Sequence, residues 1–586
     1  MKISAPSPRG LAVCGAALVA VFLLVQSTPP AQVNQGKDAA LSSAVGAWKQ
    51  DGGQVVLGAT RYCDSFDPAK SFDVWCGVVF RMYARNLMSF QGQPGASSLQ
   101  VAPDAALSPP HVSADKTVWT FSLRPDVTWD DGSRLTSTDV KYSIERLFDS
   151  KIIGAVNINY LCLLSTCING VPRYKGPYMR GQKPLASIRT KGNSISFQLT
   201  SPLVDFDRVL ALPQFSIIER NRDVSLIKRK KTYSDKPASA GPFLLQRNPK
   251  TKSVTFIRNH AWRQNADPIR NPHVNQMSWK LYPSDVALDR AVIDGAVDVR
   301  LGDGLGSVGI KSLEKNPSLL SNTDSPYNGY VNYFAILNQN VPLNRFECRS
   351  AIFYAIDKSA LQTLRGGALL STIATSMLPP TIDGYDSGNN MYSSGDAATG
   401  DLSAAHNALN KCGYPDGFEM TLGYLNTGIG SAIARSVQTS LARIGIVVIP
   451  KAFDMFEQYT AVAQSPQKLS TSGISILVSG GSSQINSAYD FWSPIVDGRL
   501  ISAVNNQNIA QINDATINSK LDQLVNQPEN RSSLSAEINS HVMETAQYLP
   551  YAIDKQILYR SHRLANVYVQ QGLGGHYDLV NLAIRS

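Results

Sequence analysis

The residue types needed for catalysis are present in this chain, but their spacing forms no catalytic motif. Seven histidines are spread over 586 residues, and none stands in an HExxH pattern. Neither a GxSxG nucleophile elbow nor a GxxxxGKS/T phosphate loop occurs. Asp130 and Asp131 are neighbouring carboxylates, but adjacent side chains on an extended turn point apart, so the pair is predicted to serve the turn. The sequence therefore predicts a protein that is not an enzyme and has no catalytic residue.

The cysteines favour disulfides over metal binding. Six lie beyond Cys14, and an even number in an exported chain is typical of disulfides. There is no CxxC pair, so no metal site is predicted, and Gly572–Gly575 lacks the strand–helix context of a phosphate loop, so no cofactor is predicted. Six cysteines allow 15 pairings, and the sequence does not decide between them. Short separations favour two pairs and leave a third, in the order Cys162 with Cys167, Cys63 with Cys76, and Cys348 with Cys412.

The N-terminal segment has the form of an export signal. Lys2 and Arg9 precede the apolar run Leu11–Val25, which is shorter than the roughly 20 residues of a comfortable membrane-spanning helix. We expect residues 1–31 to be a signal peptide or an uncleaved anchor, and residues 32–49 to be a tether. The protein is then extracytoplasmic: secreted, periplasmic or held at the cell envelope.

The composition is that of a globular protein with surplus positive charge. Hydrophobic residues make up 43% and charged residues 17% of the chain, which excludes a disordered protein. The net charge is +10. Its densest cluster, Lys228–Lys231, has no recognition motif around it, so we interpret it as a solvated loop and predict no nucleic-acid partner. Attraction to an anionic membrane surface is the alternative.

The segment after residue 100 shows a strand, a turn and a capped helix. Trp119, Phe121 and Leu123 alternate with polar residues, as in a half-buried strand. The turn signal Asp130–Gly132 comes next, and a helix is predicted from residue 139 to 148 with Thr136 and Thr138 as candidate caps. A hairpin is predicted further on, with Gly192-Asn193 at its turn.

The amino-acid sequence of this segment resembles that of the family 5 extracellular solute-binding proteins, the receptors of peptide- and nickel-type ABC importers. Their pattern runs approximately WTFxLRxxVxWxDGxxxTxxDVxYxxxR. The chain matches it at Trp119, Thr120, Phe121, Leu123, Arg124, Trp129, Asp131, Gly132, Thr136, Asp139, Val140, Tyr142 and Arg146. Further resemblances follow in family order, at residues 240–243, 349–357 and 404–422. The resemblance covers about residues 50 to 586.

The resemblance implies an α/β fold of two lobes, the periplasmic-binding-protein-like fold of class II (cluster C). The first lobe is expected at residues 50–305 plus 551–586, and the second lobe at residues 306–550. An extra subdomain at about residues 90–225 enlarges the first lobe.

The resemblance also implies a ligand-binding segment of the form GWxxD, whose backbone pairs with the ligand and whose aspartate holds a free amino terminus. The corresponding segment includes Gly480, Gly481, Ser482 and Gln484. Gly481 stands where tryptophan is expected and Gln484 where aspartate is expected. Gln cannot neutralise an ammonium group, which disfavours a ligand with a free amino terminus unless Asp490 has taken over that role. A plain flexible loop is the alternative.

Four further residues are candidates for the walls of the cleft. Phe66, Phe491 and Trp492 offer apolar surface, and Asn338 follows a predicted crossing strand. Ordinary core packing is the alternative for each aromatic residue.

The predicted function is that of a substrate-binding protein of an ABC transporter. It would capture an oligopeptide or peptide-like solute between two lobes, as a monomer, and deliver it to membrane permease subunits. Alternatives are a binding protein for nickel, a metallophore or another non-peptide solute, a receptor that senses its ligand without import, and a secreted hydrolase.

Overall fold

A computed structural model describes residues 44–152, 157–168, 170–248, 250–251, 253–388, 390–392 and 398–585. The predicted signal peptide or anchor lies outside these residues. The end of the predicted tether is bound to the protein body, since the Val45 amide donates to the Val567 carbonyl at 2.7 Å and the Trp48 amide to Asn566 Oδ1 at 2.7 Å. Over the described ranges, no helix has both the length and the apolar character needed to cross a bilayer.

Residues 54–315 form the first group of elements. The strands are β1 Gln54–Ala59, β2 Met88–Phe90, β3 Val101–Pro103, β4 His111–Val112, β5 Val118–Ser122, β6 Cys167–Ile168, β7 Val171–Pro172, β8 Ile188–Lys191, β9 Ser194–Gln198, β10 Phe243–Arg247, β11 Val254–Arg258, β12 Gln276–Leu281 and β13 Val299–Arg300. The helices are α1 Cys76–Phe80, α2 Ser137–Arg146, α3 Ile158–Cys162, α4 Phe206–Leu210, α5 Arg220–Lys228, α6 Asp285–Ile293 and α7 Ser307–Lys315.

The rest of the chain forms the second group. The strands are β14 Thr323–Asp324, β15 Tyr327–Ile336, β16 Ser371–Ile373, β17 Glu419–Leu425, β18 Val447–Phe453, β19 Ile476–Gly481, β20 Tyr548–Lys555, β21 Leu558–Tyr559, β22 Leu564–Ala565, β23 Val569–Gln570, β24 His576–Tyr577 and β25 Ala583–Ile584. The helices are α8 Phe346–Ala355, α9 Lys358–Leu364, α10 Gly367–Leu370, α11 Leu402–Cys412, α12 Gly428–Ala442, α13 Phe456–Ala463, α14 Pro466–Thr471, α15 Ala488–Val496, α16 Ala515–Asn526 and α17 Arg531–Glu544.

The first lobe is built on a five-stranded sheet in the order β10-β11-β12-β1-β13. Strands β12, β1 and β13 run parallel, whereas β10, β11 and β12 pair antiparallel. Val55 and Leu57 of β1, which point to the same face of the strand, are fully buried, so this face packs against the hydrophobic core. Its hydrophobic core draws on residues 55–301 and again on residues 558–582.

The segment with the family motif forms a smaller sheet attached to this lobe. Its order is β4-β5-β9-β8, and α2 packs on it. The predicted hairpin is present, with β8 and β9 joined at Gly192-Asn193. Helix α2 begins two residues before the prediction, and its cap is Thr136, whose hydroxyl accepts from the Asp139 amide at 3.3 Å while Asp139 Oδ2 accepts from the Thr136 amide at 2.9 Å.

Arg146, at the end of α2, connects the extra subdomain to the turn after β1. It is 2% exposed, and its guanidinium donates to Asp67 Oδ1 at 3.0 Å and to Asp223 Oδ2 at 3.2 Å. A buried guanidinium needs such carboxylates, because leaving it unpaired would cost several kcal/mol. The arginine of the motif therefore holds the Ser65–Pro68 turn in place.

The second lobe is built on a six-stranded sheet in the order β16-β20-β15-β19-β17-β18. Strand β15 lies at its centre, antiparallel to β19 and β20, and β17 runs parallel to β18 and β19. Helix α12, Gly445 and β18 form a helix–Gly–strand unit, in which Gly445 has a φ of +78° after the helix end. The core of this lobe draws on residues 331–553.

The chain crosses between the lobes twice, and the two crossings pair as the short strands β14 and β21. Asp324 of β14 and Arg560, next to β21, form an ion pair at 3.0 Å, with side chains 0% and 5% exposed. The Tyr577 hydroxyl also donates to Asp324. These contacts tie both crossing strands to the C-terminal segment.

The six cysteines form three disulfides, Cys63–Cys76, Cys162–Cys167 and Cys348–Cys412. Cys162–Cys167 and Cys63–Cys76 are the pairs that the short separations favoured, and Cys348–Cys412 is the pair that they left. The first disulfide closes the loop after β1, and the third joins α8 to α11.

A buried charge cluster stabilises the first lobe, which leads to a testable prediction. Asp104 accepts from both Nη atoms of Arg270 at 2.9 and 3.0 Å and also pairs with Arg85; all three side chains are at most 2% exposed. We predict that Asp104→Ala lowers the free energy of unfolding by about 3–5 kcal/mol, since two buried guanidiniums lose a partner. Urea unfolding would measure it. Glu537→Ala, which removes a 51% exposed partner of Lys520, is the control and should cost less than about 1 kcal/mol. Equal losses in the two variants would contradict the prediction.

Candidate functional site

The carboxyl ends of the parallel strands in both sheets lie next to the crossing strands. Strand β13 ends at Arg300 and leads into the first crossing, and β15 starts just after β14. Because β15 is antiparallel to β19, the start of β15 lies beside the end of β19. Ligands of open α/β sheets bind at carboxyl ends. The candidate site is therefore the cleft between the lobes, bounded by the loops that follow β1, β13 and β19.

The end of β19 presents backbone groups to this cleft. Gly480 and Gly481 pair with Asn332 and Val331 of β15. On its other edge β19 pairs with β17 only at Ile476 and Leu477. From Val478 onward, no described strand pairs with that edge, and the Val478 carbonyl accepts from the Tyr459 hydroxyl. Apart from the Val478 carbonyl, this stretch is therefore a strand edge open to a further chain.

Gly480 lies directly beneath a tyrosine that the sequence analysis did not single out. A Cβ on Gly480 would stand 2.4 Å from Cε1 of Tyr330, which is 38% exposed, and a Cβ on Gly481 would stand 3.6 Å from the Tyr333 hydroxyl. Tyr330 belongs to β15, and no sequence motif marks it as a residue of the site. Its position follows only from the register of β15 against β19.

Ser482 and Gln484 follow β19 and are exposed. The Asp490 carboxylate, in contrast, is already hydrogen-bonded within the protein. The Asp490 carboxylate accepts from the Tyr160 hydroxyl at 2.8 Å, from the Ser483 hydroxyl at 2.8 Å and from the Gln484 amide at 3.0 Å. Burial is the largest influence on this group and raises its pKa above the usual value of an aspartate. Asp490 would have to give up these partners to receive a ligand ammonium group.

The segment after β19 also joins the second lobe to the first. Asp205 of the first lobe pairs with Arg531 of α17 at 2.8 Å and accepts from the Ser487 hydroxyl. Arg208 donates to the carbonyls of Ile485 and Asn486 at 3.3 and 3.2 Å. We call Asp205, Arg208, Ser487 and Arg531 the interlobe clasp. It is continuous with the strand edge, because Ser487 is six residues after Gly481.

The aromatic candidates lie in the hydrophobic cores and not on the cleft. Phe66 is 3% exposed and packs edge-on against Trp279 at 6.1 Å. Phe491 and Trp492 belong to the core of the second lobe, and the Trp492 indole donates to the Ser535 hydroxyl at 3.1 Å. Large apolar surface is more stable when buried, so core packing explains all three.

Asn338 lies at the wrong end of its strand for a cleft residue. It follows β15 beyond Ile336, whereas the cleft end of β15 is at Tyr327. The residue that pairs opposite Gly480 is Asn332, about 20 Å away along the strand. The prediction for Asn338 assumed that the strand before it crosses between the lobes. The crossing strand is β14, which precedes β15.

The neighbouring carboxylates of Asp130 and Asp131 are both held by contacts that stabilise the fold. Asp131 accepts from the Ser133 amide at 2.9 Å, and Asp130 pairs with Arg222 at 2.9 Å, so the two carboxylates serve different contacts of the turn.

Within the described ranges, Asp64, Asp73 and Cys76 are the one group close enough together to suggest a metal site. Cys76 is in a disulfide and Asp73 pairs with Arg61, so these residues are poor metal ligands.

Two lobes around a cleft, joined by two crossing strands, define a solute-binding protein of the two-lobed type. The family model described as "Bacterial extracellular solute-binding proteins, family 5 Middle" matches residues 100–499. The solved structure of "Clavulanic acid biosynthesis oligopeptide binding protein 2" is 31% identical, covers 94% of this chain and 99% of its own, and superposes with a TM-score of 0.83. The curated "Glutathione-binding protein GsiB" of Salmonella paratyphi A is 22% identical over 80% of this chain and 84% of its own. "Heme-binding protein A" of Haemophilus influenzae is 24% identical over 80% and 81%.

The chain belongs to the bacterial extracellular solute-binding proteins, family 5. The resemblance seen in the sequence and the two-lobed α/β fold class are thereby confirmed. Members of this family are extracytoplasmic, a setting in which disulfides persist.

The interlobe clasp yields a prediction about stability. Asp205→Ala leaves Arg531 and Arg208 without the carboxylate between them, and we expect it to lower the free energy of unfolding by about 2–4 kcal/mol. Urea unfolding would measure the change. Asp383→Ala is the control, because Asp383 is 36% exposed and lies 4.0 Å from the same Arg531, so its loss should be below about 1 kcal/mol. If Asp205→Ala behaves like this control, the clasp does not stabilise the lobe arrangement.

Proposed function

We propose that this chain is the substrate-binding protein of an ABC importer that captures an oligopeptide or peptide-like solute in the interlobe cleft. The open edge of β19 from Val478 to Gly481 carries the proposal. A peptide laid along it gains main-chain hydrogen bonds whatever its side chains are, because only backbone groups are used. The names of two relatives, an oligopeptide-binding and a glutathione-binding protein, support a peptide-like ligand.

The ligand of this proposal does not require a free amino terminus. Gln484 is exposed and uncharged, and the Asp490 carboxylate already accepts from three donors. A buried ammonium group needs a charge partner, since desolvating it alone costs several kcal/mol. Peptides with a blocked amino terminus, or solutes without one, avoid that cost.

The protein in this proposal binds its solute without chemical change and acts as a monomer outside the cytoplasmic membrane. Closure of the lobes removes the solute from water, and the closed form docks on permease subunits. Residues 1–31 direct export, either as a removed signal or as a retained anchor. No observation in the described residues favours nickel or a metallophore over a peptide-like solute.

A melting experiment tests binding directly. The mature chain is unfolded and refolded to remove carried-over ligand, and its melting temperature is followed against a pool of tri- to pentapeptides. A ligand of the folded state adds about 2.7 kcal/mol of stability at 100 times its dissociation constant, so the melting temperature must rise with dose. Mass spectrometry of the recovered peptide should show it intact. No rise with any peptide contradicts the proposal, and cleaved peptide would indicate a hydrolase.

A second comparison tests the amino terminus of the ligand. For a peptide that binds, we predict that amino-terminal acetylation changes the dissociation constant less than about threefold, since no charge-assisted bond is lost. Gln484→Asp should make the free-amino form bind better than the acetylated form, because a carboxylate then faces the ammonium group. Isothermal titration of both peptides against both proteins measures this. A tenfold loss on acetylation with the unaltered protein would show that another residue holds the amino group.

A further inference from the structure

His576 is a buried polar side chain that no described residue binds. It is 8% exposed, and neither a hydrogen bond nor a charge partner influences its imidazole. Burial lowers the pKa of His576 to about 4, so the ring is neutral at pH 7 and offers one donor and one acceptor. The imidazole is not completely closed off from solvent, so its nitrogens remain open to a hydrogen-bonding group that approaches from the recess.

The imidazole borders a small recess in the first lobe. The recess has a cavity volume of about 10 Å³, roughly the room that one water-sized group needs. Its other lining residues come from the disulfide loop, α1, the end of β13, the crossing strand and β24: Trp75, Val78, Arg300, Gly302, Leu558 and Tyr577. Most of this lining is apolar or aromatic.

Parts of both lobes meet beside this recess at the glycine-rich turn Gly572–Gly575. Gly574 and Gly575 both have φ of +75°, and their carbonyls accept from the Gln556 side chain of the second crossing at 3.0 and 2.6 Å. A Cβ on Gly575 would stand 2.7 Å from the Tyr327 carbonyl at the cleft end of β15. The recess therefore lies at the base of the interlobe cleft.

The charged side chains discussed next, which lie at or near the recess, already have partners. Arg300 is paired with Asp285 at 2.7 Å and with Asp289 at 3.1 Å. On the crossing side, Asp324 is paired with Arg560, and on the side of the disulfide loop Arg61 is paired with Asp73. Each of these charges already has a partner, so a charged ligand group would have to displace one of them or pay its own desolvation cost.

We propose that His576 hydrogen-bonds an uncharged group of the bound solute, an amide, carbonyl or hydroxyl, at the base of the cleft. The inference rests on the proposed function, because the cleft is where that solute binds. His576 is then a binding residue that selects for a neutral hydrogen-bonding group flanked by apolar surface.

Three variants test the role of the imidazole with the peptide that gives the largest melting shift. His576→Phe keeps the ring volume and removes both nitrogens, and it should weaken binding at least tenfold. His576→Gln restores an amide near the position of Nε2 and should stay within about threefold of the unaltered protein. His406→Gln, at an exposed site on α11, is the control and should not change the dissociation constant. Isothermal titration measures all three.

Nitrogen-15 NMR of the histidine-labelled, unaltered protein gives a second readout that does not depend on the affinity of any variant. The ring signals of His576, identified by their absence from His576→Gln, should shift when the peptide is added, and those of His406 should not. Unchanged affinity of His576→Phe, or ring signals that do not move, would overturn the inference while leaving the proposed function intact. If the unaltered protein binds no peptide of the pool, the proposed function fails and this inference fails with it.

Discussion

The arrangement of the two lobes depends on the ion pair between Asp324 and Arg560. Both side chains are almost fully removed from water, and each lies at one of the two crossings of the chain. Separating them would leave two buried charges uncompensated, so the pair holds the crossing strands together while the rest of each lobe is free to pack by itself. Tyr577 adds a hydrogen bond to Asp324 and thereby attaches the C-terminal segment to the same point. The neighbouring residue His576 is placed at the base of the cleft as a consequence.

The cleft combines two kinds of interaction that act at different places. The open edge of β19 offers backbone groups, which bind an extended chain without regard to its side chains. The interlobe clasp lies on the segment that follows the same strand and joins the lobes through Asp205 and Arg531. The strand edge and the clasp lie on one continuous segment, so a solute on the edge of β19 would lie within a few residues of the contacts that connect the lobes.

The sequence was informative wherever local rules decide the structure. The alternation around Trp119, the capping box of Thr136 and Asp139, and the glycine turn at Gly192 each depend on residues only a few positions apart. The short separations of the cysteines favoured two of the disulfides that the structure contains and left the third as the remaining pair. The family motif then identified the two-lobed fold, since its many positions are matched at fixed spacing.

Tertiary structure decided which residues reach the cleft. Phe66, Phe491 and Trp492 are aromatic residues near predicted site segments, yet burial in the cores is more favourable for them. Asn338 was assigned to the wrong end of β15, because the position of a crossing depends on pairing between distant strands. Tyr330 lies over Gly480, Asp205 meets Arg531, and His576 lies beside Trp75, although these partners are far apart in the chain. The sequence by itself determined the local elements and the family; the contacts that make the site come from strand register and lobe packing, which no local pattern contains.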